Sequence, residues 1–521
     1  MTNLADLLPA GGGQNNTDFV ADGNISAGAP VILTSDGKAA AVSGSADNFG
    51  SISNCFPATI GGNLRAAYDE STDRWVFLAL VIVGGIYRPH LTVASLSGTT
   101  WTFGTPVAYP FNTGGTDNGE YWDICYDSDN GQIILAGQDF NNSNYLYAVA
   151  GTVNAGTGTI SWGSSVLVGS NTLGGVSCSY DPSTNHVIIA YNNQTSSGYI
   201  EVIVGDVSGT TLSFPSAAVS TSIGAGGAFK VVYDPNATKT VLFIKNPSTV
   251  MLAKTITLSG NTPSLGADVT VLSSSSYGVG NPEVTFDSSN NTFIVATYGS
   301  ASSDASKYSN LVNTYTVSGT TGTAGTQTDN GVRAGNINYY GCPVYDPDLN
   351  RTTALYQGVS NYLWSFTVNI TGTSPNFVTS ITDGPVAVSS AVSVPAGVNA
   401  YDPDQDIAVQ GGYMGYSSGG GQVIAYSLGS SNLTSTNLLG IAAGAISDTA
   451  TGTINTWGSR NEVQTSLTIG SDYYVQDDGT ITTATGGQLI GKAITATQIN
   501  IKDYTGCRIS AIFFLRERVS K

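Results

Sequence analysis

Apolar residues in this chain come in short runs bounded by turn-forming residues, without the period of an amphipathic helix. VIIA at 187–190 and VLFI at 241–244 are two such runs. Beside them lie stretches of strict alternation, such as YLYAVAGTV (145–153) and YIEVIVGDV (199–207). A period of two marks a strand with two different faces, and an unbroken run marks a strand covered on both. The pattern predicts an all-β chain.

The pattern also repeats. AAYDESTDRWVFLAL starts at Ala66, CSYDPSTNHVIIAY at Cys178 and VVYDPNATKTVLFIK at Val231, and four further stretches share the design. Their aspartates are Asp69, Asp127, Asp181, Asp234, Asp287, Asp346 and Asp402, spaced by 58, 54, 53, 53, 59 and 56 residues. A period near 50 suits a propeller blade. Each copy reads as four strands. The first ends at the aromatic–Asp pair, the second is the apolar run, and the third alternates up to a Ser-Gly-Thr turn such as SGTTWTF (97–103). The fourth is polar, as an outer edge should be. The second strand is apolar on both faces, which argues against a two-sheet sandwich and for blades stacked on one another. The reading is a seven-bladed β-propeller over 46–431, with residues 47–60 supplying the strand that the last blade lacks.

The chain ends follow another rule. SAGAPVILTSDGKAAAV (26–42) aligns with TIGSDYYVQDDGTITTA (468–484) at one constant offset, and both carry Asp-Gly at a hairpin tip. Asp-Gly accepts a type I′ turn. Residues 20–45 and 432–521 are therefore expected to form one small β domain into which the propeller is inserted. Residues 1–19 are expected to be an extension, in which Leu4, Leu7, Leu8 and Pro9 make an apolar plug suited to anchoring on a partner.

Composition narrows the function. Glycine contributes 64 residues and only 10% of the chain is charged, which suits many strands and turns. The formal net charge is −18, and no Lys or Arg occurs between Arg88 and Lys230. Such a chain offers no basic face for nucleic acid or an anionic membrane. No apolar run reaches membrane-spanning length, and the N-terminus lacks the pattern of a secretory signal. The five cysteines have no CxxC spacing, and Cys125 and Cys178 occupy strand positions filled elsewhere by small apolar residues, so no disulfide framework is expected.

Candidate chemistry is sparse. SLSGTTWTF (95–103) has the shape of a sialidase Asp-box turn without its aspartate, and the ring holds only Arg65, Arg74, Arg88, Arg333 and Arg351. Glycoside hydrolysis usually needs facing carboxylates, so no enzyme is expected. DSDNG (127–131) and DPDQD (402–406) resemble calcium loops without the full ligand series, and the seven aspartates are assigned to holding turns. His90 and His186 have no ligand partners nearby in sequence, and neither a metal nor a cofactor is expected. Tyr87, Tyr121, Trp122, Tyr339, Tyr340 and Tyr362 stand at possible rim positions for stacking on sugars or a receptor.

LLPAGGGQNNTDFVADGNISAGAPVILTSDGKAAAV, the YD-turn repeats and GIAAGAISDTATGTIN together resemble repeat-bearing virion structural proteins of marine and cyanobacterial tailed bacteriophages. The resemblance covers most of the chain and implies a non-enzymatic virion component. Its partners would be other virion proteins, further copies of itself and a host surface glycan or receptor. A tail fibre or adhesion subunit is the leading expectation, with capsid decoration as the alternative and a glycan-degrading enzyme last.

Overall fold

A computed structural model describes residues 15–501 apart from 46–47, 58–63, 84–85, 109, 112–121, 140–141, 171–172, 196–197, 225–227, 247–248, 275–278, 300–308, 330–341, 358–362, 378–396, 414–420, 435 and 485–486. The described residues hold strands and no helix, and the sheets are antiparallel throughout. The chain divides into two compact units, one of residues 49–427 and one of 1–48 with 428–521.

In the larger unit, seven antiparallel sheets follow one another along the chain among the described residues. The third is typical. Its strands Leu173–Asp181, His186–Asn193, Tyr199–Ser208 and Thr211–Ser213 lie side by side in that order. The second strand is buried almost end to end because both of its faces meet another sheet. Val187, Ile189 and Tyr191 pack with Ile134, Ala136 and Ala148 of the sheet before, while Ile188 and Ala190 pack with Leu242 and Ile244 of the sheet after. Each such side chain is worth roughly 1.5–3 kcal/mol when fully buried, so the unbroken apolar run is what the stack requires.

The same sharing recurs around the unit. One cluster joins Val398, Val409 and Ala425 of the last sheet to Trp75 and Phe77 of the first. The innermost strands also neighbour one another in sequence order, and Val398–Asp402 returns beside Arg65–Asp69. A ring of sheets whose first strands surround an axis is a β-propeller. The last sheet contains Val398–Asp402, Ile407–Tyr413 and Gly421–Ser427, and its outer positions are filled by Asn48–Phe49 and Ser53–Asn54. Gly50 N donates to Ala425 O and Cys55 N to Gly421 O.

The outer strand is broken where sequence suggested one weak strand. In the second sheet Thr159–Trp162 and Val166–Gly169 both pair with Tyr145–Asn154, and Gly163 sits at the break. A Cβ on Gly163 would strike the Thr210 carbonyl of the next sheet, and one on Gly325 would strike that of Thr373. Glycine at the break lets the Ser-Gly-Thr turn of one sheet dock on its predecessor.

The smaller unit draws strands from both chain ends. Asn16–Val20 pairs with Thr451–Asn455, and Pro30–Leu33 pairs with Leu438–Ala442. Residues 16–19, expected to belong to an extension, thus form most of an edge strand; its polar, exposed NTDFV sequence hides it. The second sheet of this unit comes wholly from the C-terminal part, in the order Arg460–Asn461, Ile499–Ile501, Gln488–Ala493, Asp472–Val475, Ile481–Thr482.

The two aligned hairpins have equivalent surroundings. Gly28 N donates to Ala442 O and Gly470 N to Ala493 O, while Gly440 and Gly491 press against the carbonyls of Asn455 and Asn500. The tips are not type I′ turns. Only Gly37 (φ +83°) and Gly479 (φ +80°) are left-handed, and Gly37 N and Gly479 N donate to Thr34 O and Gln476 O. That is a turn followed by a left-handed glycine, the geometry of a three-residue hairpin loop. Leu4, Leu7, Leu8 and Pro9 lie outside the described residues.

The docking glycines generate a test. Gly325→Ala should lower stability by about 1–3 kcal/mol through overpacking. Gly224→Ala, where an added Cβ meets nothing within 4 Å, should change the thermal midpoint little. Thermal melts of both variants followed by circular dichroism decide it.

Candidate functional site

The two rims of the propeller are built to different specifications. On one rim, four residues separate the first strand from the second in all seven sheets, from Asp69–Arg74 to Asp402–Ile407. Each aspartate is buried, and its Oδ1 accepts the backbone N–H two residues on. In six of the seven it also accepts the N–H three residues on. The residue four places after the aspartate is left-handed every time: Asp73, Gly131, Asn185, Thr238, Asn291, Asn350 and Asp406, at φ between +49° and +63°.

The neighbouring turns of that rim are as regular. Gly98, Gly209, Gly260, Gly319 and Gly372 each open a two-residue turn at φ between +53° and +63°, the role of glycine in a type II′ hairpin. SGN and ITGTS form the same turn as SGTT, because only the glycine is required.

A hydroxyl ties successive corners together. In four sheets the tyrosine before the aspartate meets the residue two after the aspartate of the preceding sheet, whereas the fifth sheet has Phe286 at this position. Tyr180 donates to Asp129 at 2.9 Å, Tyr68 to Asp404 at 3.0 Å and Tyr345 to Ser289 at 2.6 Å, while Ser71 N donates to Tyr126. Burial, followed by the carboxylate acceptor, holds the Tyr68 and Tyr180 hydroxyls protonated. The second acids of DSDNG and DPDQD, Asp129 and Asp404, are thus engaged by tyrosine, and no cluster suited to a metal ion occurs among the described residues.

The opposite rim is irregular. Its connections range from residues 84–85 to 378–397. The chain enters and leaves this unit on the regular rim, since Phe49 and Tyr426 stack there, which leaves the irregular rim uninterrupted.

A third feature lies around the axis, at the position four before each turn aspartate: Arg65, Asp123, Ser177, Lys230, Glu283, Cys342 and Val398. The inner strand of every sheet has one unpaired edge, and its N–H groups need acceptors. Side chains at this position supply them. Asp123 Oδ2 accepts Cys178 N at 2.9 Å, and Ser177 Oγ accepts Val231 N at 3.1 Å. Charged members also pair, Arg65 with Asp123 at 3.6 Å and Lys230 with Glu283 at 3.5 Å.

Lys230 reaches further. Its Nζ donates to Asn399 Oδ1 at 2.6 Å, joining the inner strands of the fourth and last sheets. Asn399 Nδ2 in turn donates to Val284 O at 2.8 Å and Pro343 O at 3.1 Å. Sequence reading missed this cluster. Aligning the seven copies on their aspartates places a charged or hydroxyl side chain at this position in five of them, with Asn399 one place later in the last copy.

The other residues singled out by sequence fall as follows. His186 Nε2 lies 3.2 Å from Asp206, and His90 Nδ1 lies 3.0 Å from Arg88 O. Trp122 is buried in the core, so its ring is not free for stacking on a ligand. Tyr121, Tyr339, Tyr340, Tyr362 and Arg333, and the side chain of Tyr87, lie outside the described residues. Cys55, Cys125, Cys178 and Cys342 are free thiols. Burial pushes the Cys55, Cys178 and Cys342 thiols well above the ordinary range, which removes thiolate reactivity.

No family model matches the chain, and no curated protein matches it in sequence. Among solved structures it is similar to the BP39L lectin from Burkholderia pseudomallei, at 12% identity over 73% of this chain and 100% of that one, with a TM-score of 0.48. The β-propeller domain of Cps50 (Swd1) from Myceliophteria thermophila matches at 9% identity over 73% and 99%, with a TM-score of 0.41. A triple mutant of AofleA from Arthrobotrys oligospora matches at 8% identity over 66% and 92%, with a TM-score of 0.39. At this level none bears on ligand, activity or blade number.

The buried corners have a testable pH signature. Burial raises the carboxyls of Asp234, Asp346 and Asp402 above the ordinary aspartate value of 3.8. A raised folded-state value means that folding binds protons. The contribution of these groups to stability is therefore greatest at low pH and declines as pH rises from 3.8 through the folded value. Asp346→Asn keeps an acceptor without the charge, so its stability relative to wild type should rise across that window and level off above it. Urea unfolding at a series of pH values measures this.

Proposed function

We propose that the chain is a non-enzymatic binding protein of a tailed-phage particle. In this reading a seven-bladed propeller is inserted into a β domain made from both chain ends. That domain, with Leu4, Leu7, Leu8 and Pro9, fixes the chain to the particle, and the propeller projects outward. The observation that carries the reading is the contrast between the rims. A scaffold that holds one rim to a fixed turn length while its other rim varies keeps its variation for recognition.

The regular rim is fully occupied by its own turns and carries both chain crossings, which makes it the side of attachment. The irregular rim is then the surface that meets a host glycan or receptor. The residues around the axis are paired with one another and with backbone groups, an arrangement of structural polar networks. The resemblance to phage virion proteins supplies the particle, and a tail fibre or adhesion subunit is its leading form. The net charge of −18 fits a surface exposed to solvent and free of nucleic acid.

Antibodies raised against residues 49–427 should label the tails of intact particles and block their adsorption to host cells. Labelling of capsid faces without an effect on adsorption would replace adhesion by capsid decoration. Absence from purified particles would overturn the virion assignment. Release of sugar from host polysaccharide by the purified chain, abolished by one carboxylate substitution, would overturn the non-enzymatic reading.

A further inference from the structure

Lys230, Asn399 and Glu283 stand in an arrangement that goes beyond hydrogen bonding and does not depend on the function proposed above. An amine 2.6 Å from an amide oxygen lies close to the amide carbon as well, since carbon and oxygen are one bond apart. A carboxylate lies 3.5 Å from the same amine; Glu283 is 5% exposed, and its Oε2 has no hydrogen-bond partner. The amide is held in place by two backbone carbonyls, those of Val284 and Pro343, on its nitrogen. Nucleophile, electrophile and base are therefore gathered in one partly dehydrated place, the condition under which an intramolecular reaction gains most from proximity.

We propose that Lys230 and Asn399 form a spontaneous isopeptide bond, with Glu283 as the proton carrier. Glu283 takes a proton from the Lys230 ammonium group. The freed Nζ attacks Asn399 Cγ and forms the new C–N bond. Glu283 passes its proton to Asn399 Nδ2, the C–Nδ2 bond breaks, and ammonia leaves. The second proton shed by Nζ departs with it, so an ammonium and a primary amide become a secondary amide and ammonium ion. Nothing is oxidised or reduced, and no co-reactant is consumed.

The bond would link residues 169 apart in sequence and join the inner strands of the fourth and last sheets. A closed ring of sheets opens by separating neighbouring sheets. A covalent tie between these two strands limits how far the ring can spread, and it is largest in effect for a long closed loop. Glu283 is in this scheme a catalytic residue, because it touches the reacting nitrogen. Cys342 is buried next to it and keeps its thiol protonated.

Intact-mass spectrometry of the purified full chain tests the proposal. The wild type should be lighter than its sequence mass by one ammonia, and a tryptic digest should contain a branched peptide joining the segments around Lys230 and Asn399. Lys230→Arg and Glu283→Gln should both show the full sequence mass. Asn399→Asp should lose water in place of ammonia, which keeps the test open if Glu283→Gln fails to fold. Folded wild-type protein that keeps its full sequence mass after prolonged incubation would overturn the proposal. So would an ammonia loss that persists in Lys230→Arg, since that would place the reaction at another asparagine.

Discussion

Face-to-face packing of second strands is the constraint on which the larger unit depends. A sheet covered on both sides has no wet face, so its second strand is apolar along most of its length, and the polar groups it does bury, such as Gln410, are hydrogen-bonded. Val187–Tyr191 and Val241–Ile244 meet that demand, and each shares its side chains between two neighbouring sheets. The cost of such packing falls at the inner and outer edges, where backbone groups lose partners. Tyrosine hydroxyls, turn glycines and the polar column around the axis satisfy those edges one sheet at a time.

This arrangement separates the tasks of the two rims. The regular rim is a joint: buried aspartates close each turn, left-handed residues follow them, and tyrosines reach back to the preceding sheet. Its geometry cannot vary at one sheet without disturbing the next. The connections of the other rim differ in length from sheet to sheet, from residues 84–85 to 378–397. Stability and recognition are thus assigned to opposite ends of the same strands.

Much of this was legible in the sequence, for a physical reason. The repeat, the strands and the turn aspartates depend on local rules of periodicity and turn chemistry that each copy restates. Asp181 is legible as a turn residue because six other copies carry the same aspartate without the histidine found at His186. The broken outer strand was not legible, because Gly163 and Gly325 are required by a carbonyl of the following sheet and not by their own strand. Asn16–Val20 was missed for a related reason. Its partner lies at Thr451–Asn455, and nothing in a polar pentapeptide announces a strand whose hydrogen bonds are made 435 residues away.

The sequence by itself determined the all-β class, the period of the sheets, the turn corners and the kinship of the two hairpins at the chain ends. These follow from interactions between residues close in the chain, where spacing stands in for geometry. Only the tertiary structure decided which residues meet around the axis. Lys230, Glu283 and Asn399 belong to three different copies of the repeat, and no spacing rule connects them. Their meeting is set by the closure of the ring, which brings inner strands together around the axis whatever their distance along the chain.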